Sequence, residues 1–121
     1  MIPALSDRRR YRLPEQRRIR RKAQFDALQA SGRRLANAHF GLTMRANDAD
    51  GARLGLAVSI KVAGSGVERN RIRRAIRESF RLNQHELPAV DLVVSARSRA
   101  RGASSSELRD SLADLWAKIR R

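Results

Sequence analysis

The stretch that decides the fold of this chain is SGVERNRIRRAIRESFR, residues 65–81. Ser65 and Glu68 stand three residues apart, the spacing of a capping box, in which the two side chains bind backbone N–H groups at a helix start. The apolar residues that follow recur at the spacing of one helical face: Ile72, Ala75, Ile76 and Phe80. The stretch therefore predicts the strongest helix of the chain, with one face for a core.

The remaining surface of this predicted helix is cationic. Its arginines are Arg69, Arg71, Arg73, Arg74, Arg77 and Arg81. Glu68 and Glu78 cannot neutralise six guanidinium groups, and like charges three or four residues apart destabilise a helix by roughly a few tenths of a kcal/mol per pair. The pattern favours an anionic ligand over a merely solvated face. Asn70, in the first turn, can bind a base edge or ribose, or fold back onto the helix start.

Two alternating segments precede this helix. Residues 35–45 alternate apolar and polar side chains and predict a half-buried strand. Residues 46–52 are turn material, and residues 53–61 alternate again. A hairpin of two strands is the simplest arrangement.

A strand and a helix are predicted downstream. Pro88 ends the helical region, residues 90–96 form a short β-branched run, and residues 97–105 form a polar loop. A second capping-box pattern runs from Ser104 to Glu107 and starts the last helix. Its buried stripe is Leu108, Leu112, Leu115, Trp116 and Ile119. We assign Trp116 to the core.

The amino-terminal part is more polar. Residues 1–21 carry eight arginines and two acids, a composition that predicts a mobile basic arm. Residues 22–31 predict a short helix with Phe25 and Leu28 on one face, stopped by Gly32. The order helix, strand, strand, helix, strand, helix predicts an α+β fold: one domain, residues 22–121, around one small sheet.

Length and charge agree with one nucleic-acid-binding domain. The chain has 121 residues, with 27 basic and 12 acidic side chains and a net charge of +15, so we expect a polyanionic partner. Its 24 arginines against 3 lysines suit phosphate recognition, or reflect a genome rich in G and C. The chain lacks cysteine, which excludes disulfides. It also lacks a run of about 18 apolar residues, and we expect a cytoplasmic protein.

The run Glu68-Arg69-Asn70-Arg71-Ile72-Arg73-Arg74 resembles the Arg-Asn-Arg motif of bacterial ribonuclease P protein subunits. The resemblance continues through residues 77–81. Residues 53–59 are similar to that family's second strand, and residues 91–94 to its third. The resemblance covers the chain from about Arg18 to Arg120, and the matching segments follow one another in the same order as in the family.

This resemblance implies a protein component of an endonuclease that removes the 5′ leader from precursor tRNA. The RNA subunit, with bound Mg²⁺, would hydrolyse the phosphodiester, and the protein alone would bind no cofactor or metal and supply no catalytic residue. The implied partners are the catalytic RNA and precursor tRNA, with no DNA and no membrane. A left-handed crossover between parallel strands is also implied. His39 is either an RNA contact or an ordinary exposed histidine, and His85 is interpreted as structural.

The resemblance also implies two surfaces. The surface for the catalytic RNA comprises Arg69, Asn70, Arg71, Arg73, Arg74 and Arg77. A cleft between the first helix and the sheet would hold the single-stranded leader, lined by Phe25, Thr43, Ser59 and Lys61. This chain has Gln29, Thr43 and Ile60 where the family often has two aromatics and a lysine, so we expect weaker stacking. Phe25 is alternatively an ordinary core residue.

Two other functions fit the charge. A basic ribosomal or single-strand RNA-binding protein without a processing role shares both the charge and the size. A sequence-specific DNA-binding protein would place the arginine helix in a major groove. Two predicted strands precede that helix, where a helix and a tight turn would be expected, and this disfavours DNA.

Overall fold

A computed structural model describes residues 32–120 of the chain. The strands are β1 (Arg33–Ala36), β2 (Phe40–Ala46), β3 (Arg53–Ala57) and β4 (Val90–Ala96). The helices are α1 (Ile60–Ala63), α2 (Gly66–Asn83) and α3 (Ser105–Ile119). Short 3₁₀ turns at Gln84–Glu86 and Ser98–Ala100 follow α2 and β4. The predicted arm, and the predicted first helix with Phe25, lie outside the described residues.

The four strands form one mixed sheet in the order β1-β2-β4-β3. β2 pairs antiparallel with β1 and β4, whereas β3 pairs parallel with β4 and α2 lies between them in sequence. The predicted hairpin of residues 35–45 with residues 53–61 is wrong because β4 lies between them. β4 is a nearly continuous apolar run, and its residues are buried except for half-buried Ser95, which suits a central strand. The α+β class is confirmed, and the left-handed sense of the crossover stays a prediction.

The single strand predicted over residues 35–45 is two strands separated by a turn. The Asn37 side-chain Oδ1 accepts hydrogen bonds from the backbone N–H groups of His39 (3.1 Å) and Phe40 (3.0 Å). An asparagine that binds the backbone ahead of it reverses the chain. The prediction of one continuous strand is wrong here because the alternating pattern does not show that the Asn37 side chain binds the backbone ahead of it.

The second predicted strand is shorter than its pattern. β3 ends at Ala57, and Ser59 caps α1, its Oγ accepting the Val62 N–H at 3.1 Å. Ile60 and Lys61 are therefore helical, and the Ile60 side chain is 56% exposed. The prediction that residues 58–61 continue the strand is wrong because the capping serine starts a helix there.

The core lies between one face of the sheet and the helices α2 and α3. The predicted residues Ile72, Ile76 and Phe80 are buried, as are all five stripe residues of α3. Trp116 is 0% exposed, packs edge-on against Phe80 with ring centroids 6.1 Å apart, and donates its indole N–H to Ser79 Oγ at 2.7 Å. The two helix predictions and the core assignment of Trp116 are confirmed.

The two predicted capping boxes differ in the structure. At α3 both hydrogen bonds of the box are present, between Ser104 and Glu107. At α2, Ser65 Oγ accepts the Glu68 N–H at 3.1 Å, but the Glu68 carboxylate binds other groups, so the predicted box is half formed. Among residues 32–120, each helix is too short or too polar to cross a lipid bilayer.

Candidate nucleic-acid interface

The arginines of α2 separate into two groups around the buried face. Arg69, Arg73 and Arg77 follow one another every four residues and therefore form one row along the helix. Asn70 and Arg74, also four apart, lie beside this row. We call these five residues the cationic flank. Arg71 projects on the opposite side of the helix, toward the loop that precedes α3.

Arg71 is engaged within the protein. Its Nε and Nη2 donate to the two carboxylate oxygens of Glu68 at 2.7 and 2.8 Å, and Nη2 also donates to the Ala103 carbonyl at 2.8 Å. Glu68 additionally accepts the Gly102 N–H at 2.8 Å. The hydrogen bonds from Arg71 and Gly102 lower the pKa of Glu68 to about 2. Arg71 therefore ties the start of α2 to the loop before α3.

Arg81 is paired in the same way. Its Nε and Nη2 donate to the Glu78 carboxylate at 2.9 and 2.7 Å. This hydrogen bond raises the pKa of Arg81 and lowers that of Glu78. Within residues 32–120 the two glutamates thus pair with two of the six arginines, and the charges of the other four are not compensated by an ion pair.

The uncompensated charges lie on the cationic flank. Arg69 Nε donates to the Val58 carbonyl at 2.7 Å, which orients the side chain without neutralising it. Arg73 Nε is buried and has no hydrogen-bond partner among the residues that the structure describes. Burial and the nearby charges of Arg69 and Arg77 lower the pKa of Arg73. Such a desolvated guanidinium is stabilised by an incoming anion.

The outermost residues of the flank are accessible. Arg74, Arg77 and Asn70 are exposed, and none of the three side chains forms a hydrogen bond within residues 32–120. Asn70 therefore does not fold back onto the helix start, which removes one of its two interpretations. Its amide and the two guanidinium groups are available to phosphate, ribose or base edges.

The outer face of the sheet, opposite the core, holds a depression of about 440 Å³. Its lining residues are Arg34, Leu35, Ala36, Gly41, Leu42, Thr43, Val93, Ser95 and Arg97. We call it the outer depression. A Cβ at Gly41 would lie 2.8 Å from Ser95 Oγ, so the absence of a side chain there keeps the floor open. The hydroxyls of Thr43 and Ser95 have no hydrogen-bond partner within the described part of the chain.

The structure brings together only part of the predicted leader cleft. Thr43 lines the outer depression, whereas Ser59 and Lys61 do not. Ser59 caps α1, and the Lys61 carbonyl accepts Arg101 Nη2 at 3.0 Å. Phe25 lies outside the described residues. His39, predicted on a strand face, lies in the turn between β1 and β2.

Sequence reasoning missed three groups that line the depression: Arg34, Ser95 and Arg97. Ser95 alternates with Val93 along β4 and so shares its face, which is a signal the sequence contains. The alternation does not show that the Ser95 hydroxyl lies beside Thr43, because that placement depends on the sheet order, in which Gly41 pairs with Ser95.

In another charged cluster on the outer face, the polar side chains bind one another. Arg53 donates Nε and Nη2 to the two Asp91 oxygens, both at 2.6 Å, and Asn47 Nδ2 donates to Asp91 at 2.8 Å. The pair stabilises the adjacent strands β3 and β4. Within residues 32–120 no three His, Cys, Asp or Glu side chains lie close enough together to hold a metal ion.

An α+β domain with a helix flank of uncompensated guanidinium groups and a polar, partly cationic sheet face belongs to the class of small basic RNA-binding proteins. Comparison with known proteins specifies the family. The family described as Ribonuclease P matches residues 13–120. The chain belongs to the ribonuclease P protein family, which acts in the 5′ processing of tRNA.

Curated relatives cover most of the chain. The "Ribonuclease P protein component" of Thioalkalivibrio sulfidiphilus is 41% identical over 106 residues, which span 88% of this chain and 88% of the relative. The component of Halorhodospira halophila is 39% identical over 110 residues, 90% of each chain. The family resemblance drawn from the motif is confirmed over nearly the whole chain.

Solved structures show the same fold. The RNase P protein of Staphylococcus aureus matches with a TM-score of 0.80 and 34% identity, covering 87% of this chain and 98% of that one. The RNase P protein of Thermotoga maritima matches with a TM-score of 0.77 and 30% identity, covering 86% and 98%. The four-stranded mixed sheet with its helices is therefore the family fold.

Proposed function

We propose that this chain performs its family's role in tRNA 5′ processing by binding the catalytic RNA of ribonuclease P through the cationic flank of α2. The observation that carries the proposal is the row Arg69, Arg73 and Arg77, which has no ion pair with an acidic side chain in the described part of the chain. Arg73 is the strongest evidence in this row, because its buried Nε has no hydrogen-bond partner within residues 32–120. A phosphate against this row would supply the missing acceptor and offset the mutual repulsion.

Arg71, which resemblance places on the same surface, has a second role in the proposal. Its hydrogen bonds to Glu68 and Ala103 hold the loop before α3, and one face of its guanidinium can still meet RNA. Reversing its charge would disturb folding and binding together. Arg74 and Arg77 are the cleaner positions for testing the interface, because neither side chain forms a hydrogen bond within residues 32–120.

In this proposal the protein is a subunit of an endoribonuclease and the RNA subunit performs the hydrolysis. Magnesium is assigned to the RNA subunit in this proposal, as the family resemblance implies. The protein contributes by positioning RNA, and no residue of this chain is assigned to proton transfer or nucleophilic attack.

The outer depression is the proposed site of the precursor tRNA leader. Arg34 and Arg97 supply positive charge, and the unpartnered hydroxyls of Thr43 and Ser95 supply hydrogen-bonding groups to a single strand. The small side chains of its floor allow close approach of a ribose-phosphate chain. Phe25 remains a predicted stacking residue, outside the described part of the chain.

The test is reconstitution with catalytic RNA and precursor tRNA. The variant Arg77→Glu should weaken binding to the catalytic RNA by at least about tenfold, since it replaces an attraction to phosphate by a repulsion. Arg109→Glu is the matched control, because Arg109 is an exposed arginine of α3 that forms no hydrogen bond within residues 32–120. Equal binding by both variants would contradict the assigned interface.

A second measurement separates the proposed function from its alternatives. Precursor tRNA should lose its leader when the protein and catalytic RNA are combined with magnesium. Recovery of ribosomal or mixed RNA with the purified protein, without leader removal, would instead indicate a general RNA-binding protein. Displacement of bound RNA by duplex DNA at equal salt would indicate a DNA-binding protein.

A further inference from the structure

Glu68 is an acidic residue in the first turn of the arginine-rich helix α2, and its contacts differ from those of Glu78. Its Oε1 accepts Arg71 Nε at 2.7 Å, and its Oε2 accepts Arg71 Nη2 and the Gly102 N–H, both at 2.8 Å. Within residues 32–120 the Glu78 carboxylate accepts hydrogen bonds only from Arg81, on the same helix. Glu68 therefore joins a helix arginine to a separate loop, whereas Glu78 does not.

The loop before α3 is held in place by contacts of its own. Arg101 donates Nη2 to the carbonyls of Lys61 and Val62, both at 3.0 Å, at the end of α1. Gly102 has a φ of +76°, a left-handed conformation that favours glycine, and Ala103 is buried. The Gly102 N–H and the Ala103 carbonyl are therefore presented to α2 by a backbone that is anchored on both sides.

The contacts of Arg71 occupy one edge of its guanidinium group and leave another edge available. Nε and Nη2 donate to Glu68, and Nη2 also donates to the Ala103 carbonyl at 2.8 Å. Nη1 has no hydrogen-bond partner within residues 32–120 and is not buried, and the Arg71 side chain is 33% exposed. The two N–H groups of Nη1 are therefore accessible to an acceptor, on a guanidinium whose orientation is already fixed.

We propose that Glu68 is a positioning residue for RNA binding, which holds the Arg71 guanidinium so that Nη1 meets a phosphate oxygen of the catalytic RNA. A free arginine side chain loses rotamer freedom when it binds, and immobilising one such side chain costs about twofold to tenfold in affinity. Glu68 and the loop before α3 impose that order before the RNA arrives. The inference rests on the proposed function, because it requires the catalytic RNA to lie against α2.

Neutralising Glu68 should have an effect opposite in sign to that of simple electrostatics. An acidic side chain repels nearby phosphates, so its neutralisation would strengthen RNA binding if charge alone mattered. We expect instead that Glu68→Gln weakens equilibrium binding of the catalytic RNA by about twofold to tenfold, because its amide offers one acceptor oxygen where the carboxylate offers two. Glu78→Gln, the matched control, makes the same charge change on the same helix and should bind at least as tightly as the wild type.

A double-mutant cycle with Arg71→Ala shows whether Glu68 acts through Arg71. In the Arg71→Ala background Glu68→Gln should no longer weaken binding, because the guanidinium that it orients is absent. Circular dichroism at the binding temperature checks that every variant is folded. Glu68→Asp is a second single variant, which keeps the charge but is one methylene group shorter, and it should also weaken binding. An equal loss for Glu68→Gln in both backgrounds would show that Glu68 acts only through the fold, and would overturn the inference.

The salt dependence of binding supplies a readout that does not need the double variant. Because Glu68→Gln keeps the phosphate contact of Arg71, its slope of log affinity against log salt should equal that of the wild type. Tighter binding by Glu68→Gln, an equal loss in Glu78→Gln, or wild-type affinity of Arg71→Ala would each overturn the inference. These outcomes leave the cationic flank intact, whereas wild-type binding by Arg77→Glu would contradict the proposed function itself.

Discussion

Replacing Arg77 by alanine tests the electrostatic account of the α2 surface most directly. The side chain is exposed and forms no hydrogen bond within residues 32–120, so its removal should leave the fold unchanged. If it contacts one phosphate, its loss lowers the magnitude of the slope of log affinity against log salt by about 0.7 to 0.9. Over a fourfold rise in salt, wild-type affinity should therefore fall about threefold more than that of the variant.

The assay is equilibrium binding of the catalytic RNA over a series of monovalent salt concentrations at constant magnesium. Arg109→Ala carries the same change in net charge on α3 and should retain the wild-type slope. An unchanged slope for Arg77→Ala would refute the proposed contact. An equal reduction in both variants would show that overall charge, and not the cationic flank, sets the salt dependence.

Three further predictions concern stability and packing. Folding lowers the pKa of Glu68 from 4.5 to about 2, so its carboxylate stabilises the fold above pH 4.5. In thermal unfolding, the stability advantage of the wild type over Glu68→Gln should disappear as the pH falls from 4.5 to 2. Ser79→Ala leaves a buried indole N–H without its acceptor and should cost about 1 to 3 kcal/mol in urea unfolding, whereas exposed Ser106→Ala should change stability by less than about 0.5 kcal/mol. Gly41→Ala places a Cβ 2.8 Å from Ser95 Oγ, which the Ser95 hydroxyl can relieve by changing its rotamer, and should cost less than about 1.5 kcal/mol. Adding Ser95→Ala should recover most of that loss, and additive costs in a double-mutant cycle would contradict the clash.

Both long helices could be predicted from sequence because their signals are local. Capping serines and apolar residues at helical spacing act over three or four positions, so α2 and α3 were correctly placed, together with the buried Trp116. The strand β4 was placed correctly for a related reason, since a short β-branched run bounded by a proline and a polar loop is a local pattern. The family motif on α2 is equally local.

The sheet order could not be predicted in the same way. Pairing of β4 with β2 joins residues about fifty positions apart, such as Gly41 and Ser95. An alternating pattern predicts a strand but not the strand with which it pairs. A hairpin is only the arrangement with the shortest loop. The position of each strand in the sheet depends on which strand is most deeply buried, and that is a property of the assembled domain.

The sequence by itself determined the helices, the arginine-rich motif, the basic charge and the family. Tertiary structure alone decided which arginines are available, because the partners of Arg71 include Ala103, 32 positions away. It also brought Asn37 to Ser111, 74 positions apart, and so fixed the turn between β1 and β2 against α3. The physical reason is that helix formation follows from interactions within one turn, whereas the free charge of a guanidinium group depends on the acceptors that folding brings to it.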